Sequence, residues 1–127
     1  MNAFAFSQDD VCVIHSAAIA RFGGLDGVRD EGMLASALAQ PFQTFEGVEL
    51  YPSVVEKACR YAVGIISGHP FLDGNKRTGA ALLGTYLRMC GVGCTPDHAE
   101  FLSVMLGVAD GAVCYEGLVK WVGVEVA

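Results

Sequence analysis

The sequence predicts an all-α protein, a compact single-domain helical bundle around a central apolar helix. Apolar residues recur every three or four positions along most of the chain, short glycine turns separate these runs, and alternating strand patterns are essentially absent. A length of 127 residues fits one domain, residues 1–127, and 53% hydrophobic residues suffice for a buried core. Polar residues interrupt every apolar run before the roughly 18 residues of a membrane span, so we expect a soluble protein.

A capping box opens the first predicted helix. Ser7 is a favoured N-cap residue, and Asp10 follows three residues later, where its carboxylate can bond back to the cap. Apolar side chains then recur at helical spacing until Gly23-Gly24 stops the element. The pattern predicts a helix over residues 8–22.

Asp30 predicts the start of a second helix, and Pro41 predicts its end near Gln40, because the residue before a proline disfavours helical geometry. Residues 41–52 then form a long connection that is too apolar for a bare linker. Loops of about twelve residues in compact domains are more often functional than idle. Two interpretations stay open: a flap folded onto the core, or a segment that docks a substrate.

The third and fourth helices are predicted to form the middle of the bundle. Residues 53–56 are a second capping box, and Gly68 follows the end of the helix that they open. The fourth helix is predicted over about residues 74–90. It carries no charged residue between Gly79 and Leu87, which indicates a helix surrounded by protein.

Two further helices complete the prediction. Thr95-Pro96 starts the fifth, since proline is favoured in the first turn of a helix. Its apolar residues are Phe101, Leu102, Met105 and Leu106. The shorter sixth helix contains residues 118–122.

Charge and cysteine content exclude several classes of protein. A net charge of −6, with eight basic and fourteen acidic residues, disfavours nucleic-acid binding and favours a protein or small-molecule partner. Five cysteines are an odd number in mostly apolar surroundings, which suits reduced, buried thiols. Cys90, Cys94 and His98 lack a fourth ligand and the spacing of a zinc site. Early acidic residues leave no export signal, so a cytoplasmic location is expected.

Residues 69–77, with the sequence His-Pro-Phe-Leu-Asp-Gly-Asn-Lys-Arg, predict a phosphate-handling active site directly before the fourth helix. The first N–H groups of a helix lack intrahelical partners and carry about half a positive charge, which suits a nucleotide phosphate. His69 is the predicted general base, because the pKa of histidine lies near working pH. Asp73 has two possible roles, which are compatible with each other: N-cap of the helix, and ligand of a Mg²⁺ ion that bridges nucleotide phosphates. Phe71 is predicted to anchor the loop in the core.

The last four residues of the motif are the predicted phosphate-binding set. Gly74 permits close backbone approach, and Asn75 can donate a hydrogen bond or order the turn. Lys76 and Arg77 would neutralise charge that develops on the transferred phosphoryl oxygens. Two cations in a first turn oppose the helix dipole, and this implies an anion rather than a merely solvated surface.

The nine residues resemble the signature of the Fic/Doc superfamily. The Asn-Lys-Arg-Thr ending resembles the death-on-curing (Doc) toxin branch of type II toxin-antitoxin systems in particular. Further similar stretches are residues 21–24, 27–32 and 50–52, and the resemblance spans about residues 7–92. It implies an all-α fold around the motif, a histidine base, an acidic magnesium ligand, and transfer of part of ATP onto a protein hydroxyl.

Which part of ATP moves depends on a few positions. Members that transfer AMP resemble this chain at Pro70 and Gly74, but they typically have glycine at the position of Lys76 and a second arginine at the position of Ala80. Lys76 favours the Doc mode, in which the γ-phosphate moves. The resemblance then implies a protein kinase that inhibits translation, with elongation factor Tu as the characteristic target.

Control by a separate chain is expected. The family's inhibitory helix carries serine or threonine, three residues, and then Glu-Gly or Glu-Asn; Glu46-Gly47 has Phe42 where the hydroxyl should be. By resemblance, an antitoxin with a flexible tail folds onto the toxin. Two alternatives to the kinase remain, a protein adenylyltransferase and a catalytically silent module that binds the antitoxin.

Overall fold

The fold is all-α, as predicted. The computed structural model describes residues 4–93 and 98–126. Within these ranges the chain forms six α-helices, a short 3-10 helix at Gln40–Phe42 and one two-stranded sheet. The helices are α1 (Gln8–Phe22), α2 (Glu31–Ala39), α3 (Val54–Gly68), α4 (Asn75–Met89), α5 (His98–Asp110) and α6 (Tyr115–Val126).

The predicted caps set the helix starts. The Ser7 hydroxyl accepts from the backbone N–H of Asp10, and the Asp10 carboxylate accepts from the N–H of Ser7. Ser53 and Glu56 form the same reciprocal pair at α3. Asp30 caps α2 through the N–H of Met33. The predicted start of α5 at Thr95-Pro96 lies outside the described residues.

The centre of the bundle is α3 packed against α4. No residue of α4 between Gly79 and Leu87 is exposed, which confirms the predicted burial of this stretch. Gly79 permits the close approach, because a Cβ at this position would lie 2.7 Å from Cγ1 of Ile66 and 3.1 Å from the carbonyl oxygen of Ala62, both in α3. The core around the pair includes Val11, Leu34, Ile65, Leu82, Leu83, Leu87, Leu118 and Val122.

Residues 44–49 add one short hairpin to the all-α fold. Strand β1 (Thr44–Phe45) pairs antiparallel with β2 (Val48–Glu49). The strand residues are all exposed, so no alternating buried pattern marks them in the sequence. Phe45 and Val48 are 66% and 67% exposed, so the tip of this hairpin is not folded onto the core.

The base of the hairpin is fixed by Lys57 of α3. Its ammonium donates to Oε1 of Glu49 at 2.7 Å and to the carbonyl oxygen of Tyr51. It also lies 5.7 Å from the centre of the Phe42 ring. A buried lysine with these partners tethers the hairpin to the central helix pair.

No helix in the described part of the chain is long and apolar enough to cross a membrane. The four cysteines in that part are not in disulfide bonds. Cys59 is buried, Cys12 and Cys90 are partly buried, and Cys114 is exposed, which corrects the expectation of burial there. Cys94 and the side chain of His98 lie outside the described residues.

Candidate active site

The predicted site residues line one cavity of about 490 Å³. It lies between α1, α5 and the loop that joins α3 to α4. The motif contributes His69, Leu72, Asp73, Gly74, Asn75, Lys76 and Arg77. The opposite side is apolar and includes Ala18 and Ile19 of α1 and Leu102, Met105 and Leu106 of α5.

His69 lies at the junction of α3 and the motif loop. Helix α3 runs through Gly68, which corrects the prediction that this glycine follows the helix, and His69 is its C-cap with a left-handed backbone (φ 49°). The guanidinium of Arg29 donates to the carbonyl oxygens of His69 (2.7 Å) and Gly68 (3.2 Å). These bonds fix the backbone, whereas the imidazole is exposed. Its one hydrogen-bond contact among the described residues is long, 3.5 Å from Nδ1 to Nδ2 of Asn75. The ring is therefore accessible to a substrate hydroxyl at the cavity.

The carboxylate of Asp73 lies between the start of α4 and the α1–α2 connection. Oδ1 accepts from the N–H of Gly74 at 3.0 Å, and Oδ2 accepts from the N–H of Leu25 at 3.4 Å. Gly24 permits this contact, since a Cβ there would lie 2.8 Å from Oδ2. Each oxygen keeps a further lone pair for a cation.

The N-cap of α4 is Gly74, not Asp73, which corrects one of the two roles predicted for the aspartate. Gly74 has φ 76°, a left-handed conformation that glycine adopts without penalty. No side chain caps this helix start within the described structure. The first-turn N–H groups of α4 therefore keep the positive end of the helix dipole open to an anion.

Asn75 orders the motif loop. It is buried, and its amide closes a ring with the backbone of Phe71: Oδ1 accepts from the N–H and Nδ2 donates to the carbonyl, each at 3.1 Å. Phe71 is buried as the predicted core anchor. The amide of Asn75 therefore fixes the turn from Phe71 to the start of α4, and its hydrogen-bonding groups are largely used within the loop.

Lys76 and Arg77 are exposed cations at the cavity. Neither forms an ion pair with a carboxylate among the described residues. The guanidinium carbon of Arg77 lies 3.8 Å from the centre of the Phe22 ring, so the side chain stacks on the end of α1. Two unneutralised cations beside an uncapped helix start form a site for a multiply charged anion.

His15 is a buried residue beside the motif that the sequence analysis missed. It is 1% exposed, and its Nε2 lies 2.6 Å from the carbonyl oxygen of Asp73. The ring stacks on Phe71 with a centroid distance of 3.8 Å and an angle of 7°. Its spacing of four residues from buried Val11 placed it on the inner face of α1, and a polar residue on such a face is the signal that could have found it.

The connection between α1 and α2 also supports the motif loop, and the sequence analysis did not predict this contact. Its residues pair with the motif loop through an isolated antiparallel bridge between Val28 and Phe71. The carbonyl of Pro70 accepts from the N–H of Arg29 at 2.7 Å, and the N–H of Leu72 donates to the carbonyl of Gly27 at 3.0 Å. These pairings join segments about forty residues apart, so local sequence patterns could not reveal them.

Known proteins with similar sequences point to one family. The Fic/DOC family model matches residues 5–87. The chain is 40% identical over 90 residues to toxin Doc of Mycolicibacterium smegmatis, and the aligned stretch covers 71% of this chain and 67% of that protein. It is 33% identical over 107 residues to protein kinase doc of Escherichia phage P1, which covers 84% of this chain and 83% of that protein. The chain therefore belongs to the Fic/DOC family, in its Doc toxin branch.

Proposed function

We propose that this protein is a Doc-like toxin, an ATP-dependent protein kinase that transfers the γ-phosphoryl group to a hydroxyl of a translation factor of the elongation factor Tu type. The observation that carries the proposal is the cavity: an exposed histidine, an acidic residue, two unpaired cations and an uncapped helix start face the same space. Such a set suits a nucleoside triphosphate on one side and a hydroxyl nucleophile on the other. The similarity to protein kinase doc supports the kinase assignment.

The chemistry assigned to the residues is as follows. His69 takes the proton from the target hydroxyl as that oxygen forms a bond to the γ-phosphorus, and the bond to the β–γ bridging oxygen breaks, releasing ADP. Lys76 and Arg77 stabilise the charge on the phosphate oxygens. The N–H groups at the start of α4 add fixed dipoles that need no reorganisation during the reaction.

Magnesium fits this set of side chains. The described residues contain no cluster of three or more histidine, cysteine or acidic side chains that could hold a metal by themselves. Mg²⁺ needs only one or two protein carboxylates when nucleotide phosphates and water supply the other ligands. Asp73 would hold the ion, which when bound supplies positive charge against the phosphates.

Transfer of AMP is the second candidate function. Pro70 and Gly74 match the AMP-transferring pattern, whereas Lys76 and Ala80 depart from it, and both Lys76 and Ala80 line the cavity. A lysine adds bulk and charge where the phosphate of AMP would approach the backbone. Ala80 leaves a small apolar side chain where AMP-transferring members have a second arginine.

ATP labelled separately at the α- and γ-phosphates distinguishes these activities. The protein is incubated with Mg²⁺, one labelled ATP and purified elongation factor Tu or other candidate targets, with a His69→Ala variant as the control. Label from the γ-phosphate alone supports the kinase, and label from the α-phosphate supports AMP transfer. No label from either, with every target, supports the catalytically silent module.

An antitoxin with a flexible tail is the proposed partner. Both the name of the Mycolicibacterium smegmatis relative and the apolar side of the cavity support it. Leu102 and Leu106 of α5 and Leu72 of the motif loop are exposed there and could be covered by an apolar segment that orders on binding.

Glu46-Gly47 forms the hairpin turn, so it does not serve as an inhibitory helix. A target in the translation machinery implies action in the cytoplasm. Co-purification of the chain with the product of a short neighbouring reading frame tests the partner.

The hairpin is proposed as the docking segment for the protein substrate. Phe45 and Val48, on either side of its turn, are exposed apolar side chains, and its strands leave outer edges. An extended peptide could pair with such an edge through main-chain hydrogen bonds.

A further inference from the structure

We propose that His15 and Asp26 are positioning residues that hold the peptide between Asp73 and Gly74 in the orientation that an anion at the start of α4 requires. This inference rests on the proposed function, since it names how that same site is held. Neither residue lies in the motif. Both belong to the first quarter of the chain, at α1 and the connection that follows it.

The contact with Asp73 is short and directional. The carbonyl oxygen of Asp73 only accepts, so Nε2 of His15 donates to it, at 2.6 Å. The ring cannot move aside, because it stacks face to face on Phe71 and is buried to 99% of its surface. His15 also lies directly under Gly74, where an added Cβ would be 3.5 Å from Nε2.

Asp26 sets the rotation of the imidazole. Its Oδ1 lies 3.3 Å from Nδ1 of His15 and accepts from the hydroxyl of Ser16 at 3.2 Å. The result is a chain of polar contacts from Ser16 through Asp26 and His15 to the backbone of Asp73. A carboxylate oxygen also only accepts, so both ring nitrogens face acceptors, and the two contacts together hold the ring in one rotation.

The orientation of this one peptide decides what the cavity presents to an anion. A peptide unit has its carbonyl and its N–H on opposite sides. With the carbonyl of Asp73 directed at His15, the N–H of Gly74 bonds Oδ1 of Asp73. A rotation of the peptide would break both bonds and would turn a carbonyl oxygen away from its donor.

Glycine at position 74 makes such a rotation easy. Gly74 is the N-cap of α4 at φ 76° and has no side chain to restrict the backbone. The chain therefore needs a donor from elsewhere to select one orientation. His15 is that donor, which explains a buried imidazole whose two ring nitrogens both have polar partners in this loop region.

The first test uses backbone amide spectra of the free protein, which need no nucleotide and no activity. In His15→Leu, which fills similar space without a donor, we expect the ¹⁵N–¹H signals of residues 72–76 to shift and broaden, while the signals of α3 and α6 stay unchanged. In His15→Gln, whose amide can donate to the carbonyl of Asp73, the signals should return toward those of the natural chain. Unchanged signals for residues 72–76 in His15→Leu would overturn the proposal.

The second test measures binding of Mg²⁺ with a non-hydrolysable ATP analogue by calorimetry, followed by phosphoryl transfer. We expect His15→Leu to lose about tenfold or more in affinity, the range for groups that orient a ligand residue. His15→Gln should recover most of the loss, and kcat in the γ-label assay should fall further than the affinity. Equal affinity for the natural chain and His15→Leu contradicts the positioning role.

Asp26→Ala keeps the proposal testable if His15→Leu does not fold. The Asp26 side chain is 54% exposed, so its removal leaves the core intact. Disturbed signals for residues 72–76 are expected, and undisturbed ones contradict the role of Asp26. The matched control is Asp110→Ala, which removes an exposed carboxylate at the end of α5. If the natural chain shows no transfer at all, the kinase proposal fails, while the spectra still decide on His15.

Discussion

At the scale of single residues, His69 combines an exposed imidazole with a backbone conformation that histidine rarely adopts. The left-handed φ of 49° costs about 1 kcal/mol for a residue with a Cβ. Arg29 holds this backbone through two carbonyl oxygens. A left-handed residue cannot continue a right-handed helix, so α3 ends here and the chain turns into the motif loop. This turn places the imidazole at the cavity.

The first prediction concerns removal of this imidazole. We expect His69→Ala to lower phosphoryl transfer by at least about a hundredfold, because the general base is lost. Because the side chain is exposed and only its backbone is bonded to Arg29, the melting temperature should stay close to that of the natural chain. Labelled ATP and thermal unfolding measure the two effects.

His69→Gly is the matched control for the strain. It should be equally inactive but more stable than His69→Ala by about 1 kcal/mol, since glycine adopts the left-handed backbone without penalty. Full activity of either variant would remove His69 from the role of base. An unfolded alanine variant would instead assign the ring to the core.

The second prediction concerns Asp73. We expect Asp73→Asn to raise the Mg²⁺ concentration for half-maximal transfer by about tenfold, because an amide is a weaker ligand than a carboxylate for a hard cation. The amide oxygen can still accept from Gly74, so the loop should keep its structure. The measurement is a magnesium titration of the transfer rate, and a superimposable curve for both proteins would exclude a metal role.

The sequence predicted the site residues that are close together in the chain and missed the one that is distant. His69, Asp73 and Lys76 lie within eight residues of one another, and the motif brings them to one cavity without help from distant contacts. His15 acts on Asp73 across 58 positions. Nothing near either residue indicates the pairing, because it depends on how α1 packs beside α4.

At the scale of elements, the same distinction holds. Ser7, Asp30 and Ser53 bond to N–H groups three residues ahead, so the sequence alone predicted where three helices begin. The C-cap at His69 and the hairpin at residues 44–49 were not predicted. Both depend on side chains of other elements: Arg29, forty positions before His69, for the first, and Lys57 of α3, eight positions after Glu49, for the second.

The third prediction tests how α3 and α4 fit together. Alanine favours a helix over glycine by up to about 1 kcal/mol, yet Gly79→Ala should destabilise the protein by about 1–3 kcal/mol because its methyl group would overlap Ile66. Gly84→Ala on the same helix is the control: its nearest contact is the flexible end of Arg88 at 3.4 Å, so it should be neutral or stabilising. Denaturant unfolding measures both, and equal effects of the two substitutions would refute the close packing.

At the scale of the whole molecule, an aromatic cluster joins the N-terminal segment to the central helix pair. Tyr61 of α3 lies 5.1 Å from Phe6 and 5.3 Å from Tyr86 of α4, measured between ring centres. Its hydroxyl accepts from the backbone N–H of Phe6 at 3.2 Å. Phe4 packs edge-on against Phe6 and completes the cluster. The cluster links the first residues of the chain to the elements that carry the site.

This burial makes the folded state sensitive to alkali. Burial raises the pKa of Tyr61 from 10.0 to about 12, and it raises the pKa values of Tyr86 and Tyr115 as well. In the unfolded chain a tyrosine loses its proton near its ordinary pKa, so above pH 10 the unfolded state binds fewer protons than the folded state. Stability is therefore fully present below pH 10 and is lost as the pH rises toward 12.

The fourth prediction follows for Tyr61→Phe. At neutral pH the variant should be less stable by about 1 kcal/mol, because the N–H of Phe6 loses its acceptor. Between pH 10 and 12 its free energy of unfolding should decline less steeply than that of the natural chain, by up to about 1.4 kcal/mol per pH unit, the value for one proton. The two stability curves should thus converge above pH 10 and cross before pH 12. Denaturant unfolding at a series of pH values measures the slopes, and parallel curves would mean that Tyr61 does not hold its proton in the folded protein.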